Sequence, residues 1–128
     1  MFNAKLERQK ILDGTYSSRI IQGRQNKHIE GTREFEQKRE QIERNSPGSM
    51  PSVITVDAQA LVDKYKGTGS IYFHPSSPEY PREDITADTI IGKTWVKSLQ
   101  KYIDTATFTI CYSKTGVHII PINEKGRV

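Results

Sequence analysis

Cysteine is nearly absent from the 128 residues: Cys111 stands alone. An internal disulfide is therefore impossible, and the fold has to be held by its core rather than by a secreted disulfide framework. Long apolar runs are missing too. No stretch approaches the roughly 20 residues of a membrane span. The opening residues Met1 to Glu7 carry no apolar h-region, so no signal peptide is expected. Clustered metal-ligand patterns are also lacking. The three histidines, His28, His74 and His118, are far apart, with no CxxC pair and no HExxH. Neither a catalytic metal nor another cofactor is expected. No glycine-rich phosphate loop occurs, since Gly67-Thr68-Gly69 is too short for a dinucleotide fingerprint and reads as a helix stop. Cys111 falls in a strand pattern with no helix N-terminus beside it, so a nucleophilic thiol is not indicated.

What is present is basic charge. The net charge is +4 and the isoelectric point about 9.2. Residues 1–45 hold 10 Lys and Arg against 7 Asp and Glu. Such an excess suits an anionic partner such as nucleic acid, without identifying one.

The length fits one domain. Residues 3–12 favour a helix that Gly14 stops, and with few large apolar residues it reads as a linker or N-terminal helical extension over residues 1–22. Residues 16–22 offer a short extended stretch. Thr32 is placed to cap a helix that runs to about Arg44, and Asp57 to cap another from Ala58 to Lys66. Val53–Val56, Ser70–Phe73 and Ile90–Gly92 read as strands. Pro75, Pro78 and Pro81 make the stretch through Asp84 a loop, with Glu83 and Asp84 on its surface. Thr94–Ile103 is ambiguous between a strand pair and a short helix. Thr107–Tyr112 alternates polar and apolar, Val117–Ile120 follows before Pro121, and Ser113-Lys114-Thr115-Gly116 between them has the length and glycine of a hairpin loop. With helices early and strands late, the fold class is α+β with an antiparallel sheet ending in a C-terminal hairpin.

Metal-free RNA cleavage needs little machinery: a base for the 2′-hydroxyl proton, an acid for the leaving 5′-oxygen, and cations or hydroxyls for the phosphorane. Histidine suits both proton roles, and Lys, Arg, Ser and Tyr can stabilise charge. His28 follows Arg24, Gln25 and Lys27. His118 shares its hairpin with Ser113 and Lys114. Read from the residues alone, an ordinary strand position for His118 and an ordinary surface loop position for His28 are favoured over a catalytic role. Tyr65, Tyr72, Phe73, Trp95 and Tyr112 could stack on bases, with Tyr112 and Trp95 the rings most expected to be exposed.

Arg24-Gln25-Asn26-Lys27-His28-Ile29-Glu30-Gly31-Thr32 with Phe35, and Tyr112-Ser113-Lys114-Thr115-Gly116-Val117-His118-Ile119-Ile120-Pro121, resemble the opening and closing motifs of the type-50 polymorphic toxin domain. The resemblance runs from about Gly23 to Pro121. That family occurs at the C-termini of bacterial polymorphic toxins and of phage minor head (MuF-type) proteins. It implies a ribonuclease of the barnase–EndoU–colicin–RelE group, built on a curved antiparallel sheet, with residues 23–128 as the toxin domain. Carried over, it implies catalytic His28, His118, Lys27 and Ser113, and RNA contacts from Arg24, Gln25, Thr32, Tyr112 and Lys114, to which Trp95 is added as a stacking ring. It further implies cleavage to 2′,3′-cyclic phosphate and 5′-hydroxyl ends, and an immunity protein as partner. The expected toxin is a monomer without a membrane partner, acting in the bacterial cytoplasm after delivery in a larger protein. Which histidine is base and which acid stays open. Two rivals remain: a non-enzymatic interaction module of a phage head protein, and a toxin acting on DNA or nucleotides. The proposed chemistry demands that the segment before Thr32 fold back onto the C-terminal hairpin, with the two imidazoles close enough to flank one phosphate; if they lie far apart, at most one of them can be catalytic.

Overall fold

The structure is a computed structural model and describes residues 2–124. Four helices precede or interrupt seven strands: α1 (Ala4–Leu12), α2 (Gln22–Gln25), α3 (Arg33–Asn45), β1 (Val53–Ile54), α4 (Ala58–Tyr65), β2 (Ser70–His74), β3 (Ser77–Thr86), β4 (Gly92–Val96), β5 (Lys101–Thr105), β6 (Thr107–Tyr112) and β7 (Val117–Ile122). One antiparallel sheet has the order β2-β3-β6-β7 and a second the order β1-β4-β5. The architecture is the expected α+β, with the β6–β7 hairpin at the C-terminal end.

The caps are where the sequence places them. Thr32 Oγ1 accepts from Phe35 N at 3.0 Å, and Asp57 Oδ1 from Ala60 N at 3.1 Å, satisfying backbone donors that a helix start leaves unpaired. The segment Thr94–Ile103 resolves as a strand pair around a 3-10 turn at Lys97–Leu99.

Two expectations are corrected. The stretch from Pro75 to Asp84 is not a loop: only Pro75 and Ser76 turn, and β3 then runs ten residues through both Pro78 and Pro81. Proline cannot donate to a ladder, and β3 accommodates this by position. Its pairing with β6 begins only at Arg82–Cys111, and its register against β2 shifts between Tyr72 and His74. Both prolines thus lie outside the regular ladder. Nor is Glu83 a surface carboxylate. Its side chain is fully buried and accepts from Gly67 N at 3.0 Å, Gly69 N at 2.7 Å and the Tyr112 hydroxyl at 2.8 Å.

The core lies on one face of the four-stranded sheet. Ile71, Ile85, Phe108, Ile110, Tyr112, Val117 and Ile119 alternate inward and meet Leu61 and Val62 of α4. Residues before Gly23 take part as well: Ile11 of α1 is completely buried in this core, and Arg8 donates to the carbonyls of Gly67 and Gly69.

The free edge of β7 is closed by the N-terminal half of the chain. Ile20 makes a parallel bridge to Val117, with Val117 N donating to Arg19 O and Ile21 N to Val117 O. Two residues on, the Gln25 side chain serves as a substitute strand: it donates to Ile119 O at 2.9 Å and accepts from Ile119 N at 2.7 Å. The next outward residue, Pro121, has no N–H to satisfy. Gly116 is required by this close approach, because a Cβ there would stand 2.3 Å from Arg19 O. An exposed edge that would invite foreign strands is thereby covered, and the segment carrying Arg24, Lys27 and His28 is fixed beside β7.

Candidate functional site

Among the described residues no helix covers the opposite face of the four-stranded sheet. Strand alternation puts His118, Ile120 and Ile122 of β7 on that face, and each is half-buried while Val117, Ile119 and Pro121 are buried. Cys111 and Thr109 of β6, Arg82 and Asp84 of β3, and Ser70 and Tyr72 of β2 share this face through the strand registers.

His118 lines a notch of about 120 Å³ together with Arg24, Arg82, Cys111, Ser113 and Ile120 among others. Burial first, and then the nearby His28, Arg24, Lys27 and Arg82, push its imidazole down to about 4. His118 is therefore a neutral proton acceptor at neutral pH. The Arg24–His28 segment folds back onto the C-terminal hairpin, where the Gln25 amide bonds to Ile119, and His28 is near enough to act on the charge of His118.

His28 ends the 3-10 turn Asn26–His28 and is buried. Its Nδ1 lies 3.0 Å from Ser52 O and 3.1 Å from Ser52 Oγ. A carbonyl only accepts, so Nδ1 carries a proton and Nε2 holds the lone pair of the neutral ring. Burial lowers its proton affinity, with Lys38 and Lys27 adding to the effect against the opposing Ser52 bond.

Both imidazoles are thus easier to protonate in the unfolded chain than in the folded one. Unfolded histidine takes up its proton near 6.5, whereas folded His118 waits until about 4. Stability carries no contribution from this difference above about pH 7 and falls as pH drops from about 6.5 towards 4. Thermal melts across pH 8 to 4 are expected to show a midpoint that declines in that window, and a smaller decline for His118→Gln. An equal decline in both proteins would remove His118 as a source.

The other sequence candidates divide. Lys27, Arg24 and Lys114 are exposed. Ser113 lines the notch, and its Oγ donates to Gly116 O at 2.7 Å, closing the hairpin loop. Gln25 is completely buried with its amide committed to Ile119. The Thr32 hydroxyl donates to the carbonyls of Asn26 and Ile29 while capping α3, so it shapes the turn that carries Lys27 and His28. Tyr112 is not an exposed ring: it lies on the core face, where burial and Glu83 push its hydroxyl up. Trp95 belongs to the other sheet, donating from Nε1 to Gly48 O at 2.7 Å and meeting Tyr102 edge-on at 5.0 Å. It is not brought to the notch.

Sequence reasoning missed Arg82, Asp84 and Thr109. The signal available was the period-two alternation of Arg82, Asp84 and Thr86 about Glu83 and Ile85, hidden by the prolines before it. Cys111 lines the notch, and burial pushes its thiol up to about 11, so it rests protonated. Among the described residues no group of three or more His, Cys, Asp or Glu side chains is arranged to hold a metal ion. Among them, too, no helix is long and apolar enough to cross a membrane.

No curated protein and no solved structure matches the chain. The family model described as bacterial toxin 50 matches residues 20–121, which span both the Arg24–Thr32 segment and the hairpin that carries His118. The chain therefore belongs to the bacterial toxin 50 family, and the domain is a bacterial toxin domain.

Proposed function

We propose that this toxin domain is an endoribonuclease that cuts RNA without a metal ion. The observation that carries the reading is the setting of His118: a neutral imidazole on an uncovered sheet face, with Arg24, Lys27 and Arg82 near enough to act on its charge. A base among cations is what attack by a 2′-hydroxyl on an anionic phosphodiester requires.

In the proposed reaction His118 takes the 2′-hydroxyl proton as the 2′-oxygen bonds to phosphorus. The bond from phosphorus to the 5′-oxygen breaks. The bound phosphate's negative charge raises the proton affinity of His28, which in its protonated form returns a proton to the leaving oxygen. The products are a 2′,3′-cyclic phosphate and a 5′-hydroxyl. Lys27 and Arg24 offset the charge of the phosphorane, and Ser113 and Lys114 border the site from the hairpin loop. The proposed physiological setting is the bacterial cytoplasm, with an immunity protein that binds the domain and blocks this face.

The test is digestion of total RNA by the purified protein in EDTA, followed by mapping of the ends. Cleavage leaving cyclic phosphates is expected. Cleavage only on adding a divalent ion would sink the mechanism, and growth arrest on expression with intact RNA would move the toxin to another target.

A further inference from the structure

Across the uncovered face the registers line up one row of side chains. Tyr72 of β2 pairs with Arg82 of β3, Arg82 with Cys111 of β6, and Cys111 with His118 of β7. The next row is Ser70, Asp84, Thr109 and Ile120. Neighbouring strands lie roughly 4.8 Å apart, so the Arg82 and His118 backbones are roughly 10 Å apart with only the short Cys111 side chain between them. A guanidinium on a long stem and an imidazole at that spacing can close on one phosphate. Among the described residues Arg82 forms no ion pair of 4.0 Å or less, whereas Lys10, Arg39, Lys64 and Lys93 each do.

Beside this notch, and sharing Arg82 and Ile120 with it, runs a groove of about 550 Å³ lined by Ser70, Tyr72, His74, Asp84, Thr109 and Ile122 as well. It combines half-buried aliphatic side chains with an aromatic ring whose position is fixed. The Tyr72 hydroxyl donates to Asp84 Oδ1 at 2.9 Å, and Thr109 Oγ1 donates to the same oxygen at 2.8 Å. Burial and Asp84 raise the Tyr72 proton affinity, so the ring stays neutral. A flat apolar ligand fits this surface, and an anionic group fits the cationic notch at its end.

We infer that the notch and groove together form one nucleotide subsite, in which Arg82 holds the phosphate beside His118 and the attached base lies along Tyr72, Ile120 and Ile122. The inference rests on the ribonuclease reading for its ligand class. In it Arg82 is a substrate-binding residue, Tyr72 the stacking surface, and Asp84 with Thr109 the pair that orients Tyr72. Stacking on an aromatic ring tolerates any base, so the subsite binds nucleotides broadly.

The experiment is calorimetric binding of the four nucleoside 3′-monophosphates and of inorganic phosphate, alongside cleavage of RNA by the same proteins. Arg82→Gln is expected to weaken all five probes by about tenfold or more. Arg82→Lys, which keeps the charge and loses the fork, should fall between and stands in if the Gln variant fails to fold. Tyr72→Leu should weaken the four nucleotides by about tenfold and leave inorganic phosphate unchanged, while Tyr72→Phe, which keeps the ring and loses only its bond to Asp84, should weaken them clearly less than Tyr72→Leu does. Wild-type binding by Arg82→Gln, or equal binding by Tyr72→Leu and Tyr72→Phe, overturns the subsite. Failure of every nucleotide to bind wild type overturns it as well. Wild-type protein that cuts RNA while these variants bind and cut unchanged would leave the ribonuclease reading standing and remove only this inference.

Discussion

Replacing His118 with alanine is expected to lower RNA cleavage by about 10²- to 10⁴-fold, the range for loss of a positioned proton-transfer group. The fold should survive. His118 is half-buried on the uncovered face, its strand neighbours Val117 and Ile119 hold β7 in the core, and its backbone pairing with Cys111 does not need the imidazole. The direction of the pH profile separates a base from an acid. With a resting value of about 4, a base active in the free enzyme gives kcat/KM that rises through about pH 4 and falls again at higher pH as the His28 acid loses its proton. An obligatory acid at this position would instead lose activity over the same range. Full-rate cleavage by the alanine variant would take His118 out of the site, and normal melting of that variant is the control that makes a loss meaningful.

Glu83→Ala should have the largest effect on stability, a loss of about 4 kcal/mol. Three donors converge on this buried carboxylate: two backbone N–H groups from the turn after α4 and the Tyr112 hydroxyl. Each buried donor left without an acceptor costs about 1–3 kcal/mol, and the deleted carboxyl leaves space that neighbours fill only in part. For a domain of this size that loss corresponds to a drop in Tm of roughly 15 °C. Glu83→Gln keeps the volume and one acceptor oxygen and is expected to lose about half as much. Urea unfolding monitored through Trp95 would measure both. A change under about 1 kcal/mol for Glu83→Ala would show that the turn relaxes to satisfy its own amides. Activity should fall with stability rather than separately, since Glu83 points into the core from between Arg82 and Asp84, which point to the uncovered face.

Local rules were enough for much of the fold. Thr32 and Asp57 announce helix starts because a side-chain oxygen three residues before an amide has few other uses there. The β6–β7 hairpin was legible because Thr107–Tyr112 alternates and Gly116 closes the loop. The prolines misled. Pro78 and Pro81 argue for a loop wherever the ladder is regular, and only the actual register shows that β3 carries them outside its pairing with β6. That one misreading hid Arg82 and Asp84 and put Glu83 on the surface. Tyr112 and Gln25 depart from expectation for a different reason. A polar or amphipathic side chain next to a histidine looks the same in sequence whether it serves a ligand or the frame, and here Glu83 and Ile119, remote in the chain, decide it. The pairing of the Arg24–His28 segment with the hairpin is likewise a long-range fact. The family motifs implied it, and periodicity could not.

The way Gln25 completes the edge of β7 also sets a clock. Its two bonds reach Ile119, 94 residues further along the chain, and the Arg19–Ile21 bridge waits on Val117. A ribosome making this protein has exposed Lys27 and His28 long before the strand that positions them exists, so the nascent chain carries the reactive side chains without the site. Ribosome-bound chains arrested before Val117 emerges should leave RNA intact, while chains arrested well past Pro121 should cut it. The producing cell would then meet the toxin only as a finished molecule, which is when the proposed immunity protein would have a surface to recognise.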